Sequence, residues 1–286
     1  METFHQLLDP GALFHNSVLA SIIVGAICPL VGMFFVMRRT IFLGVALPQV
    51  SSAGIVSAFW LHSLGIHFLG HSETKRGTAL VGAGLFTVLA IVALALLERR
   101  GRGLVEGRTG AIYALAAALA ILFTAGNPTG EMHIANMLRG EIVAVTDADM
   151  ALLATAYGAV ALVVTACRRA LVLVSFDRDV AQTILRRPWV WDLVLYGVFG
   201  VTISVGVMIV GPLALFGFLI LPALTVLPWS HGLPSLAVGS CGIGCVTAFC
   251  GFAIASAQNL PVGPTDVALG FALFAMSSLV RSVARR

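Results

Sequence analysis

The sequence predicts an all-α polytopic membrane bundle of about eight to nine transmembrane helices, a single domain over residues 1–286, and three observations predict it. A mean hydropathy of +1.00, with 59% hydrophobic and only 10% charged residues, lies far outside the range of soluble domains. A water-soluble core cannot hide so much apolar surface, whereas lipid accepts it. Apolar runs of spanning length, about 20 residues each, follow one another along the chain. Fourteen of the seventeen Lys and Arg residues fall in four clusters between those runs. The clusters are Arg38 and Arg39; Arg99, Arg100, Arg102 and Arg108; Arg168, Arg169, Arg178, Arg186 and Arg187; and Arg281, Arg285 and Arg286. The positive-inside rule produces this pattern.

The first run, residues 13–37, ends at Arg38 and Arg39. The N-terminal Met-Glu-Thr-Phe-His lacks a basic region, so this run reads as a span and not as a cleaved signal. The second run, 41–61, leads into a polar segment, 62–78, with His62, His67, His71 and Glu73. The third, 79–97, runs into the second arginine cluster. The fourth, 109–125, leads to residues 126–147, which open with the turn sequence Gly126-Asn127-Pro128-Thr129-Gly130. The fifth, 148–167, precedes a basic, partly helical loop over 168–188. About forty apolar residues come next and divide at Gly211-Pro212 into 189–209 and 211–228, because proline breaks the helix. A short or broken helix there leaves eight full spans, and two spans make nine. Runs 236–257 and 265–281 complete the set.

With the arginine clusters in the cytoplasm, the N-terminus lies outside, the C-terminus inside, and all nine segments alternate without conflict. Eight of the thirteen acidic residues and six of the seven histidines then fall on the outer side, a face that attracts cations. The net charge of +4 is no nucleic-acid signature, since the arginines flank spans and do not line one face. Cys28, Cys167, Cys241, Cys245 and Cys250 lie in or beside apolar segments and read as packing residues.

Residues 174–188 carry Ser175 or Asp177 as a helix start, Val180, Ile184 and Leu185 at helical spacing, and Pro188 as a stop. The expected product is a short amphipathic helix that docks in a partner's groove or lies on the headgroups. Ser175-Phe176-Asp177, with Ala181 and Ile184-Leu185 beyond, resembles the "SFD-x-x-x-A-x-x-L" coupling segment of the zinc/manganese-type ABC transporter permeases. Val205-Gly206-Val207-Met208 and the stretch from Gly217 through Leu221-Pro222-Ala223 to Thr225 are similar to that family's following helix pair. Leu138 through Val145, Leu260-Pro261-Val262-Gly263-Pro264-Thr265, and Arg38-Arg39 followed by Ile41-Phe42-Leu43-Gly44 add further matches, in order along nearly the whole chain.

The resemblance implies an ABC importer permease for divalent metal ions (zinc, manganese or iron) in the inner (plasma) membrane, with the coupling helix at about 175–187. It implies a cytoplasmic ATP-binding subunit against Phe176, Asp177, Arg178, Asp179 and Val180, an extracytoplasmic substrate-binding protein, and a second permease copy as homodimer. ATP belongs to the partner, since this chain has no G-x-x-x-x-G-K-[ST] loop. No covalently bound cofactor is implied; the metal is cargo.

One departure bears on the pathway. The family's second helix typically places an Asp and a His one turn apart, a good ligand pair for zinc or manganese. Here those positions are Val45 and Gln49. Either the cargo crosses as a chelate or other small solute, or bare ions pass a wall of Val45, Gln49 and Ser52, with Pro48 freeing a carbonyl nearby. His62, His67 and His71 form a second metal-ligand candidate. An ion-coupled secondary transporter would need carboxylates near midspan, and the only acid near a span interior is Asp192, close to the inner end. An intramembrane enzyme would need a nucleophile–base pair or H-E-x-x-H, and neither occurs.

Overall fold

The structure, a computed structural model, describes residues 15–64, 75–99, 105–126 and 145–284. Its helices are α1 (His15–Met37), α2 (Leu43–Ser63), α3 (Lys75–Arg99), α4 (Val105–Ala125), α5 (Asp147–Ala166), α6 (Arg168–Phe176), α7 (Arg178–Ile184), α8 (Pro188–Val226), α9 (Leu233–Gln258) and α10 (Val262–Ala284). All but α6 and α7 are long and apolar enough to cross a membrane, eight helices among the described residues. Several overrun their apolar runs by a few residues, because a helix continues into the headgroup zone where water meets its end groups.

The long helix α8 contains the break that the dipeptide Gly211-Pro212 predicts. Gly211 takes φ 80° and ψ 163°, a region open essentially to glycine alone, and Pro212 brings no N–H to continue the ladder. The chain doubles back there. A Cβ at Gly206 would lie 2.5 Å from the Leu215 side chain, whereas nine residues of straight helix would separate them by about 13 Å. The element is a helical hairpin with arms 188–210 and 212–226. The second arm rises about 22 Å, short of the roughly 30 Å of hydrocarbon.

Polar contacts define the two faces of the bundle. On one, Asn16 Nδ2 donates to Asp147 Oδ1 at 2.6 Å and Arg76 Nε pairs with Asp149 Oδ1 at 2.7 Å, joining the starts of α1, α3 and α5. Thr146 and Asp149 also form a capping box for α5. On the opposite face Arg38, at the end of α1, pairs with Asp192 at the start of α8. The end of α10 reaches this second face beside the returning arm of α8, where Ser277 Oγ donates to the Thr225 carbonyl at 2.9 Å and accepts from Trp229 Nε1 at 2.8 Å. His15 and Ala284 therefore lie on opposite faces, as the odd number of passes requires.

The core forms where α1 packs against α8 and α9, and α2 against α3, α4 and α8. Backbones touch at these seams: a Cβ on Gly54 or Gly82 would fall 2.3 Å from the other's carbonyl oxygen, and the Gly25 and Gly244 seam is equally tight. Small residues give such close approach where lipid offers no hydrophobic drive for helix association. The exposed Leu85, Val88, Leu89 and Val92 of α3, with Phe271, Met276, Leu279 and Val283 of α10, form an outer apolar face suited to lipid.

Gly211→Ala is expected to cost about 1–3 kcal/mol and to lower the melting temperature of the detergent-solubilised protein by several degrees. Gly197→Ala, where an added Cβ meets nothing within 4 Å, should leave it unchanged in the same assay.

Candidate translocation wall and coupling surface

Helix α2 is encased on most sides, and its sequence explains both its shape and its one opening. Pro48 lies inside it and removes the N–H that would bond the Gly44 carbonyl. From Ala46 to Ala58 every residue is buried except Gln49. Val45, one turn earlier, is also half-exposed. The Gln49 side-chain amide meets no hydrogen-bond partner among the described residues, so a carbonyl oxygen and an NH2 group stand free on this opening.

Ser52 is placed differently. It is buried, and its Oγ donates back to the Gln49 carbonyl at 2.9 Å. Its hydroxyl serves the backbone around Pro48, while Val45 and Gln49 form the accessible stripe. Val45 also lines an open cavity of about 1100 Å³ on the arginine face, with Arg38, Arg39, Glu106, Arg108 and Tyr196.

His62 is exposed at the end of α2. His67 and His71 lie outside the described residues. Among the described residues no group of three or more His, Cys, Asp or Glu side chains could hold a metal ion. Asp147 and Asp149 serve the capping and ion-pair contacts given above.

The candidate coupling segment is a pair of short helices. Asp177 separates α6 from α7 in an extended conformation (φ −143°, ψ 103°), and its Oδ1 accepts from the Val180 N–H at 3.0 Å, capping α7. Ser175 lies inside α6 and is no cap. Pro188 opens α8 instead of ending the loop helix, a position where its missing N–H costs nothing. Phe176, at the end of α6, is 77% exposed, and Val180 and Ile184, one turn apart on α7, are 39% and 66% exposed, while Ala181 turns inward. Arg178 and Asp179 lie in α7.

Arg38 ties this segment to the wall. Its guanidinium pairs with Asp192, both side chains being about 15% exposed. Its Nε donates to Ser175 Oγ at 3.4 Å, and its Cζ lies 5.5 Å from the Tyr196 ring centroid. One turn deeper Phe35 stacks on Phe199 with centroids 4.1 Å apart. Arg39 follows in the left-handed conformation (φ 56°) and turns the chain into α2. One side chain thus links the residue before Phe176 to the turn that starts the Val45 and Gln49 helix. The sequence carried a hint of this in Asp192, the lone acid near a span's inner end; the partner, 154 residues away, was not readable from it.

A sequence profile described as the ABC 3 transport family matches residues 12–281. The manganese import system permease protein ScaB of Streptococcus parasanguinis is 25% identical over 286 residues, covering 98% of this chain and 96% of that protein. The zinc transport system membrane protein TroC of Treponema pallidum is 25% identical over 258 residues, covering 88% and 83%. A chain of the solved structure of PsaBC from Streptococcus pneumoniae in complex with Fab has the same fold, with a TM-score of 0.81, 23% identity and coverage of 96% and 94%.

Arg38→Ala should destabilise the solubilised protein by about 1–3 kcal/mol, because it removes the cation paired with the Asp192 carboxylate where that side chain is only 16% exposed. Asp192→Ala in the Arg38→Ala background should add little further loss, and a double-mutant cycle on melting temperatures measures this coupling.

Proposed function

The chain belongs to the ABC 3 transport family, and from that premise we propose that it is the membrane-spanning subunit of an ATP-driven importer of divalent metal ions, zinc, manganese or iron. In this reading it works as a homodimer in the inner membrane, with its C-terminus and arginine face in the cytoplasm. Each copy engages one ATP-binding subunit, and an extracytoplasmic binding protein delivers cargo to the opposite face. The names of the relatives support the cargo class, and the positive-inside bias supports the orientation.

The observation that carries the coupling half is the exposure of Phe176 at the end of α6 and of Val180 and Ile184, one turn apart on α7, on the arginine face. A short helix with an apolar stripe suits a groove on a partner protein. ATP-driven closure of the partner pair pushes on α7, and Arg38 passes the displacement to the start of α2. The Val45 and Gln49 stripe then changes its exposure from one side to the other. Phe176→Ala should weaken binding of the ATP-binding subunit roughly tenfold to a hundredfold, read by titration of the purified partners.

The wall itself is neutral. Gln49 offers an amide oxygen, a weak and readily released ligand for a first-row ion, so the ion keeps much of its hydration as it passes. A second reading, the same machine moving a metal chelate or other small solute, is favoured by that absence of charge at Val45 and Gln49. ATP-dependent uptake of zinc, manganese and iron into proteoliposomes holding the complete complex separates them. Bare-ion uptake that falls roughly tenfold in Gln49→Ala is the expected result. An ATP-hydrolysing complex that moves none of the three ions would leave the chelate.

A further inference from the structure

The open cavity on the arginine face holds about 1100 Å³, between the α1–α2 turn, the inner end of α3, the start of α4 and Tyr196 of α8. Arg38, Arg39 and Arg108 line it against one acid, Glu106. Three arginines make a poor resting place for a metal cation and favour an occupant of opposite charge. Arg38 is already neutralised by Asp192. Glu106 offsets one of the other two, so one positive charge is left over among the described lining residues. Arg39 is exposed, and no carboxylate among the described residues pairs with it. Thr40, next in the chain, has a hydroxyl that is closed off and without a hydrogen-bond partner. A turn by one rotamer step toward an acceptor in the cavity would satisfy it.

The lining is layered. Arg38 and Arg39 follow the end of α1, and Arg108 lies in the first turn of α4, so the charges stand at the rim. Ile91 and Leu94 of α3 also line the cavity. They precede the helix end at Arg99 by eight and five residues, which puts them about 8–12 Å deeper. Beside them on α3, Val88 and Val92 are 53% and 48% exposed on the face suited to lipid. The apolar wall of the cavity therefore continues into the surface that meets acyl chains. A small soluble anion would use the rim alone and leave this lower wall wet. A basic rim over an apolar slot between spans matches the two halves of a phospholipid.

We infer that this cavity is a site for one anionic phospholipid of the surrounding bilayer, with its phosphate at Arg39 and its acyl chains against Ile91 and Leu94. Charge balance selects the headgroup: a phosphodiester with no cationic group carries one negative charge and meets the one positive charge left over. A zwitterionic headgroup brings its own cation to a rim that is already basic. The lipid enters sideways, along the exposed face of α3. It bridges the inner ends of α1, α3 and α4 beside Val45, where the apolar lining offers protein atoms on only one side. The inference concerns binding by this chain and holds whatever the cargo is.

The test is native mass spectrometry of the full chain in a neutral detergent, freed of co-purified lipid. It is titrated with dioleoyl phosphatidylglycerol or with phosphatidylcholine of the same chains, each with and without inorganic phosphate at matched ionic strength. One saturable phosphatidylglycerol per chain is expected, bound roughly tenfold more tightly than phosphatidylcholine. Arg39→Gln, which removes the charge, should erase that preference. Leu94→Trp, which fills the lower wall, should weaken both lipids roughly tenfold. Arg281→Gln, at the end of α10 on the same face, should change neither. If Leu94→Trp fails to fold, Arg39→Gln and the headgroup comparison decide. Equal affinity for the two lipids would overturn the inference. Equal losses in Arg39→Gln and Arg281→Gln would overturn it too, leaving a diffuse basic surface. Complete displacement of phosphatidylglycerol by inorganic phosphate would assign the rim to a soluble anion instead.

Discussion

Inside a bilayer a backbone N–H or C=O that misses its partner has no water to turn to, and the arrangement of this bundle follows from that constraint. It dictates helices throughout, and it also dictates where helices are allowed to break. Prolines that interrupt a ladder sit in α1 (Pro29), α2 (Pro48) and α8 (Pro212 and Pro222). Those are the three spans most enclosed by protein, with 67%, 72% and 67% of their central windows buried, against 6–39% for the other five. A freed carbonyl is tolerable where other helices surround it and costly where only acyl chains do. The irregular backbone has been confined to the interior, and the candidate wall is built from it.

The spans were legible because hydropathy and positive charge act residue by residue. Each apolar run became a helix or one arm of the α8 hairpin, and Gly211-Pro212 marked the turn because only a few residues can make it. Val45 and Gln49 could be singled out from their positions relative to the family pattern. The structure adds that Gln49 is the only open residue in a stretch of thirteen. Ser52 shows the limit of face arguments: three residues from Gln49 is close enough to share a face, yet the neighbouring helices close over it.

What the sequence withheld was tertiary pairing. Asp192 and Asp266 look alike as lone acids near helix starts. One finds Arg38 at a partly open face; the other, 2% exposed, packs its carboxylate against Gly251 of α9. Nothing local distinguishes them, because the difference lies in which helix packs alongside. The same holds for the loop before α8, where Pro188 reads equally well as the end of one helix or the start of the next. The chain uses it as a start, and the cap of α7 falls to Asp177.

The hairpin at Gly211 bears on biosynthesis. Membrane insertion machinery releases segments into lipid one at a time, testing each for length and greasiness, and the second arm of α8 has only about 22 Å of rise. Alone it makes a poor candidate for release. Attached to the first arm through the bend at Gly211, it is carried in as a passenger. The nascent chain must therefore hold both arms together until α9 and α10 emerge to enclose them. The order of synthesis, first arm, bend, second arm and then its two covers, supplies each piece just before the next one needs it.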